Sequence, residues 1–157
     1  MPPPKPMLVD STALRQAEGP GTKVACPHRL RTLVDARPAN GSMGVAQAKA
    51  FSMEDPIGIV RDQLANAGLR EDGEGRAVDV RLMQFYLSQN TITLVPVVVY
   101  EATAEGGAPM VIRGQPSSQN SWGSDAEATE AYGDALRAAN EKLIVSLNAQ
   151  CPRTAGR

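Results

Sequence analysis

His28 is the only histidine in the chain, and with Cys26 and Cys151 it makes up all of the imidazole and thiol chemistry available. A Ser–His or Cys–His nucleophile pair would have to use His28 as its base. Cys26 stands only two residues away, with no flanking motif to orient either group. A zinc site would need more Cys and His ligands at close spacing than this sequence offers. His28, beside Pro27 in a polar stretch, therefore reads as an exposed and structurally neutral side chain. No metal and no cofactor are expected.

The two cysteines lie far apart, each followed by proline and each just outside a predicted element. One reading is a disulfide joining the two ends of a domain. Closing so long a loop would stabilise the fold by about 4 to 5 kcal/mol in the chain-entropy model, and it would imply an oxidising compartment. The other reading is two unrelated free thiols. The balance favours the disulfide.

Asp35 and Arg37 leave the end of a predicted strand together. They could form a polar site there, but an ion pair or backbone-bonding network that shapes the following loop accounts for them better. Glu54, Asp55 and Asp62 resemble paired carboxylates, yet helix capping and solvation explain them. Gly73-Glu74-Gly75 falls after a helix and before a strand, the reverse of a phosphate loop, and no lysine follows. Trp122, the single tryptophan, stands in the polar run Gln119-Asn120-Ser121. It is a candidate anchor for a partner, although packing at the junction of the last strand and last helix is the better reading. An enzyme would have to rest on Asp35, Arg37 and His28 alone, so no enzymatic activity is expected.

The elements that position these residues follow from periodicity. Residues 1–25 are rich in proline, glycine and small polar residues and read as a flexible leader, with short helical character around Thr12 to Ala17. The domain is expected over 26–151, with a disordered tail at 152–157. Leu30 to Asp35 reads as a first strand ending at Arg37-Pro38. A turn at Pro38 to Ser42 opens a loop reaching about Ser52.

Asp55-Pro56 supplies a helix cap and a proline at the first helical position. Ile57, Val60, Leu64 and Ala67 form the apolar stripe, and Gly68 suits the left-handed closing residue. From Val78 the chain alternates with period two, placing Val78, Val80, Leu82, Gln84 and Tyr86 on one face. Ser88 to Asn90 reads as the turn into Thr91–Thr103, the most β-prone run. Pro96 inside that run demands an edge or a bulge.

A hairpin loop at 104–109 leads to a third strand from Met110 to Arg113, reaching towards Trp122. Ser124 and Glu127 match a capping box. Ala128, Ala131, Tyr132, Ala135, Leu136, Ala139, Leu143 and Leu147 then line one face of a long helix. The order β-α-β-β-β-α predicts a two-layer α+β sandwich, an antiparallel meander plus first strand covered by two helices.

Composition bounds the rest. One domain fits 157 residues, and a net charge of −1 with interleaved signs and few aromatics argues against nucleic-acid binding. No apolar run is long enough to span a membrane.

With these elements in place, Val34-Asp35-Ala36-Arg37-Pro38, the nearby Gly44 and the helix closing at Asn66-Ala67-Gly68-Leu69 resemble the start of YajG-like bacterial lipoproteins. Ala77-Val78-Asp79-Val80-Arg81-Leu82 and the long Ala-rich final helix continue the likeness over roughly residues 28 to 150. Auxiliary lipoproteins of envelope transport systems share a similar layout. The resemblance implies a periplasmic domain tethered by an N-terminal lipid to the outer membrane, with no catalytic residue to carry over. The lipid-bearing cysteine and its signal are missing from this sequence. The stretch Ser11 to Lys23 is too polar for Cys26 to take that role.

The expected function is binding or scaffolding in the cell envelope, through a sheet edge or the surface around Pro96 and Trp122. The partner would be an envelope protein, peptidoglycan or a lipid component. An auxiliary subunit of a transport or secretion assembly is the alternative.

Overall fold

The computed structural model describes residues 2–16, 19–38, 42–46, 48–90, 93–116, 119–120 and 125–152. Its strands are β1 (Lys5–Leu8), β2 (His28–Asp35), β3 (Val45–Ala46), β4 (Lys49–Ser52), β5 (Arg76–Asn90), β6 (Thr93–Ala104), β7 (Met110–Gly114) and β8 (Gln119–Asn120). Its helices are α1 (Ser11–Gln16), α2 (Pro56–Asn66) and α3 (Asp125–Ala149). The main sheet runs β2-β5-β6-β7, with β8 also on β6, and a smaller sheet runs β1-β4-β3. Two open sheets and three helices make an α+β sandwich, as the periodicity predicts.

The centre of the main sheet is the antiparallel hairpin of β5 and β6, paired from Val78↔Ala104 to Asn90↔Thr93. Ser88 to Asn90 therefore belong to the strand, and the turn comes after them. A register shift between Leu82 and Gln84 breaks the alternation. A bulge adds one residue to one strand and exchanges the faces beyond it. Phe85 and Leu87 are consequently buried with Val78, Val80 and Leu82, whereas Gln84 is exposed and Tyr86 half-buried.

Pro96 pairs with Leu87 on the β5 side. On the other side of β6, β7 covers Val98 to Ala102 and β8 covers Thr93 and Leu94. Pro96 falls in the gap between them, where a missing N–H interrupts no ladder. β2 lies parallel to β5, an arrangement that needs a long crossover, and the segment carrying β3, β4 and α2 provides it.

α3 buries every residue of its predicted stripe, together with Asn140 and Ile144. α2 is capped by Asp55, whose side chain accepts from the Gly58 N–H at 3.0 Å. It closes with Gly68 at φ +96, where the Gly68 and Leu69 N–H groups return to the Ala65 and Leu64 carbonyls. Its buried stripe is Ile59, Val60, Gln63 and Leu64, followed by Ala67. Ile57, expected inside, packs only at the margin.

Residues 5–16 correct the expectation of a flexible leader. β1 pairs in parallel with β4 from Lys5↔Lys49 to Leu8↔Ser52. Val9 and Leu14 are buried in the core, Leu14 with 1% exposure. Arg15 binds Asp55 at 2.8 Å and Asp62 at 2.7 Å, so the cap of α2 and an acid midway along it act as partners of α1.

The expected loop through Ser52 likewise carries β3 and β4. It brings Phe51 into edge contact with Tyr132, which packs the same way on Phe85. The Tyr132 hydroxyl donates to the Met43 carbonyl at 2.6 Å, giving this buried phenol a partner.

Candidate functional site

At the end of β2, Arg37 binds Asp35 in a two-point fork, Nε to Oδ1 and Nη2 to Oδ2, both at 2.9 Å. The Arg37 backbone N–H adds a third bond to Oδ1 at 3.1 Å. The Arg37 hydrogen bonds hold the Asp35 carboxyl below its usual range, against the opposing effect of desolvation. Arg37 has only 8% of its side chain exposed, and its Nη1 is buried without a partner among the described residues. The geometry is that of a pair shaping the strand exit. Asp79 is lowered in the same manner by Arg31 across β2 and β5, with Thr32 adding a bond.

Cys26 and Cys151 are bonded, with Cα atoms 5.9 Å apart across a separation of 125 residues. The bridge joins the segment leading into β2 to the end of α3. His28 is not exposed, as its polar neighbours suggest, but 3% exposed at the start of β2. Its Nδ1 lies 3.0 Å from the Cys26 carbonyl oxygen and 3.7 Å from the Cys26 sulfur, and its Nε2 is buried without a partner among the described residues. The fold thus gathers Cys26, His28 and Cys151, with their ligand atoms within 4.8 Å of one another. Sequence spacing hides this group because Cys151 arrives from the opposite end of the domain. Bonded to each other, the sulfurs are not thiolates and do not hold a metal.

Two surfaces have the character of docking sites. β7 is the outer strand of the main sheet on the side away from β2. Beside it, Val111 is 75% exposed and Val145 of α3 is 50% exposed. They line a shallow depression of about 400 Å³ with Arg113, Glu141 and Lys142. A second, mostly apolar groove of about 590 Å³ runs between α1 and α3, with Leu14 and Gly133 in its wall and Asp10, Glu130 and Arg137 around it.

Of the two residues expected at a partner surface, Pro96 has its ring buried in the sheet. What it leaves open is the gap between β7 and β8, not a protruding side chain. Trp122 lies outside the described residues, as does Ser124 of the expected capping box.

A polar group that periodicity missed occupies the core. The Tyr100 hydroxyl donates to Asn140 Oδ1 at 2.6 Å, and Asn140 Nδ2 donates to Gln63 Oε1 at 2.7 Å. All three are buried, linking β6, α3 and α2. Burial pushes the Tyr100 and Tyr132 phenols up from their ordinary value. The available signal was polar residues at two helix positions in phase with the apolar stripes. This group serves packing, since none of its members reaches the surface.

These features define a class by fold: a mixed sheet of β2-β5-β6-β7, with β2 parallel to β5, covered by helices. A solved structure shares that fold: protein XCC0632 from Xanthomonas campestris, described as DUF330, matches with a TM-score of 0.53 over 90% of each chain. Identity between the two is 9%, so the likeness is one of architecture. No protein-family model and no curated protein matches the chain.

Proposed function

We propose that the chain is a non-enzymatic periplasmic domain, lipid-anchored to the outer membrane, that binds or scaffolds another component of the bacterial cell envelope. The observation that carries this reading is the Cys26–Cys151 disulfide, because such bonds persist in oxidising compartments and are rare in the cytosol. The YajG-like residues around Asp35, Arg37 and Gly68 support the same address. Among the described residues no helix is long and apolar enough to cross a membrane; in this reading attachment is through an N-terminal lipid.

β7 is the engaging edge in this reading. Among the described residues no strand pairs with its outer side. Although the Arg113 carbonyl accepts from Lys142 Nζ at 2.8 Å, such an edge offers N–H and C=O groups to an extended segment, with side-chain pockets beside it for selectivity. Val111 and Val145 provide apolar contact there, with Arg113, Glu141 and Lys142 as a charged rim. An auxiliary subunit of a transport assembly is the case in which the segment belongs to a membrane complex.

The test is fractionation of cells with intact-mass analysis of the natural protein, followed by photo-crosslinking from position 145, beside Val111 in the same depression. An acylated N-terminus in the outer-membrane fraction, oxidised cysteines and a discrete crosslinked envelope partner are expected. Val111→Lys should abolish that crosslinked complex without changing the melting temperature. Recovery of an unacylated, cytosolic protein with reduced cysteines would overturn the address. An unchanged complex in Val111→Lys would overturn the edge.

A further inference from the structure

The group formed by Cys26, His28 and Cys151 joins one nitrogen and two sulfur ligands, the donor types that bind zinc and other borderline or soft cations. We infer that reduction of the disulfide converts this group into a metal site for Zn²⁺ or a cation of similar softness. Three observations point there. One ring nitrogen of His28 and the two sulfurs lie within 4.8 Å of one another, and reduction frees the Cys26 sulfur, now 3.7 Å from Nδ1, to swing towards Nε2. His28 is 97% shielded, and its Nε2 has no hydrogen-bond partner among the described residues. With Nδ1 donating to the Cys26 carbonyl at 3.0 Å, Nε2 keeps a free lone pair. Metal-bound histidines are commonly held in one tautomer by just such a carbonyl bond.

The chemistry balances with a dithiol as reductant. The dithiol transfers two electrons and two protons to the S–S bond, giving two cysteine thiols and a disulfide in the reductant. Zn²⁺ then displaces one proton from each thiol, so two protons leave as two Zn–S bonds form. Two thiolates cancel the charge of the metal, which suits a half-buried site. With Zn–S bonds of about 2.3 Å, tetrahedral ligation sets the sulfurs about 3.8 Å apart. The Cα separation of 5.9 Å leaves room for that by side-chain rotation.

A cavity of about 370 Å³ bordered by Cys26, His28, Arg76 and Gln150 gives water a place as fourth ligand. Arg76 is committed elsewhere, Nε to the Glu105 carbonyl at 2.7 Å and Nη1 to Gln150 at 2.8 Å, so it does not occupy the ligand position. Oxidised, the group is a cross-link; reduced, it is a metal clip joining the same two ends. The inference concerns chemistry at the bridge and stands apart from the envelope reading.

The experiment uses the whole chain, reduced with a phosphine under anaerobic conditions, freed of reductant, and titrated with Co²⁺ as a spectroscopic probe and then Zn²⁺. Thiolate-to-Co²⁺ charge-transfer absorption saturating at one equivalent is expected, bleached by Zn²⁺ and absent from the oxidised protein. His28→Asn should weaken Zn²⁺ binding by at least about tenfold, because two thiolates remain but the nitrogen ligand is lost. Failure of the reduced protein to bind one equivalent would overturn the inference. Equal binding by His28→Asn would do so too, since it would mean that any flexible dithiol suffices. Circular dichroism on the same samples separates an unfolded dithiol from a folded site.

Discussion

Asn140 accepts from Tyr100 and donates to Gln63 with all three side chains closed off from water. Replacing it with leucine leaves the Tyr100 hydroxyl and the Gln63 oxygen without partners, each a loss of about 1–3 kcal/mol. Asn140→Leu should therefore destabilise the domain by about 2–6 kcal/mol, lowering the melting temperature by roughly 4–24 °C for a chain of this size. Adding Tyr100→Phe and Gln63→Leu should recover part of the loss, because the orphaned groups go as well. Additive losses in thermal melts would show that the three do not act together.

Asp35 gives a pH signature. Its folded carboxyl lies below the ordinary value, chiefly through the Arg37 side-chain bonds. The contribution of the pair is complete above the unfolded carboxylate range and disappears as pH falls through the lower folded value. Asp35→Asn should lower the melting temperature at pH 7 and have progressively less effect towards pH 2. A constant difference across that range would mean that the carboxylate charge is not what matters. Asp35 and Arg37 were legible as a pair because they leave a strand two residues apart. The burial of His28 was not, since it depends on Cys151 closing over it from the far end of the chain.

At the scale of elements, α1 shows which force holds a short helix. Six residues cannot form a stable helix alone, so its place depends on what it docks against. Arg15 makes two ion pairs to α2, but both sides are substantially exposed, and such pairs contribute about 0–1 kcal/mol. Leu14 is fully buried, and truncating a buried leucine costs about 2–5 kcal/mol. Leu14→Ala should thus release α1 and β1, seen as fast amide exchange over residues 5–16, while Arg15→Ala should leave them protected. The opposite ranking would make the ion pairs the anchor.

The long amphipathic α3 and the capped α2 were readable because their apolar periods are strong and local. β1 and α1 were not. Proline, glycine and polar residues dominate the leader, and two well-placed apolar side chains, Val9 and Leu14, do not make a period. The bulge after Leu82 was hidden for a related reason. Alternation predicts a face only until an extra residue shifts it, and the shift is dictated by pairing with β6.

For the whole molecule, the α+β sandwich was legible because a meander with one apolar face requires an apolar cover. The parallel placement of β2 beside β5 and the smaller sheet were not, as both rest on pairings between distant segments. The bridge closes a loop of 125 residues' separation around nearly all of this architecture, worth about 5 kcal/mol in the chain-entropy model. Its two ends meet 5.9 Å apart, and that has a mechanical meaning. Tension applied along the chain from outside residues 26 and 151 runs through one covalent link and bypasses the sheet and α3. Among the described elements, only β1 and α1 lie in the line of force. A single molecule pulled from its ends should yield those elements and then stop lengthening. On reduction it should release roughly 40 nm more, at about 3.3–3.6 Å per freed residue. Pulled from outside the bridge, the domain is tugged without being unfolded.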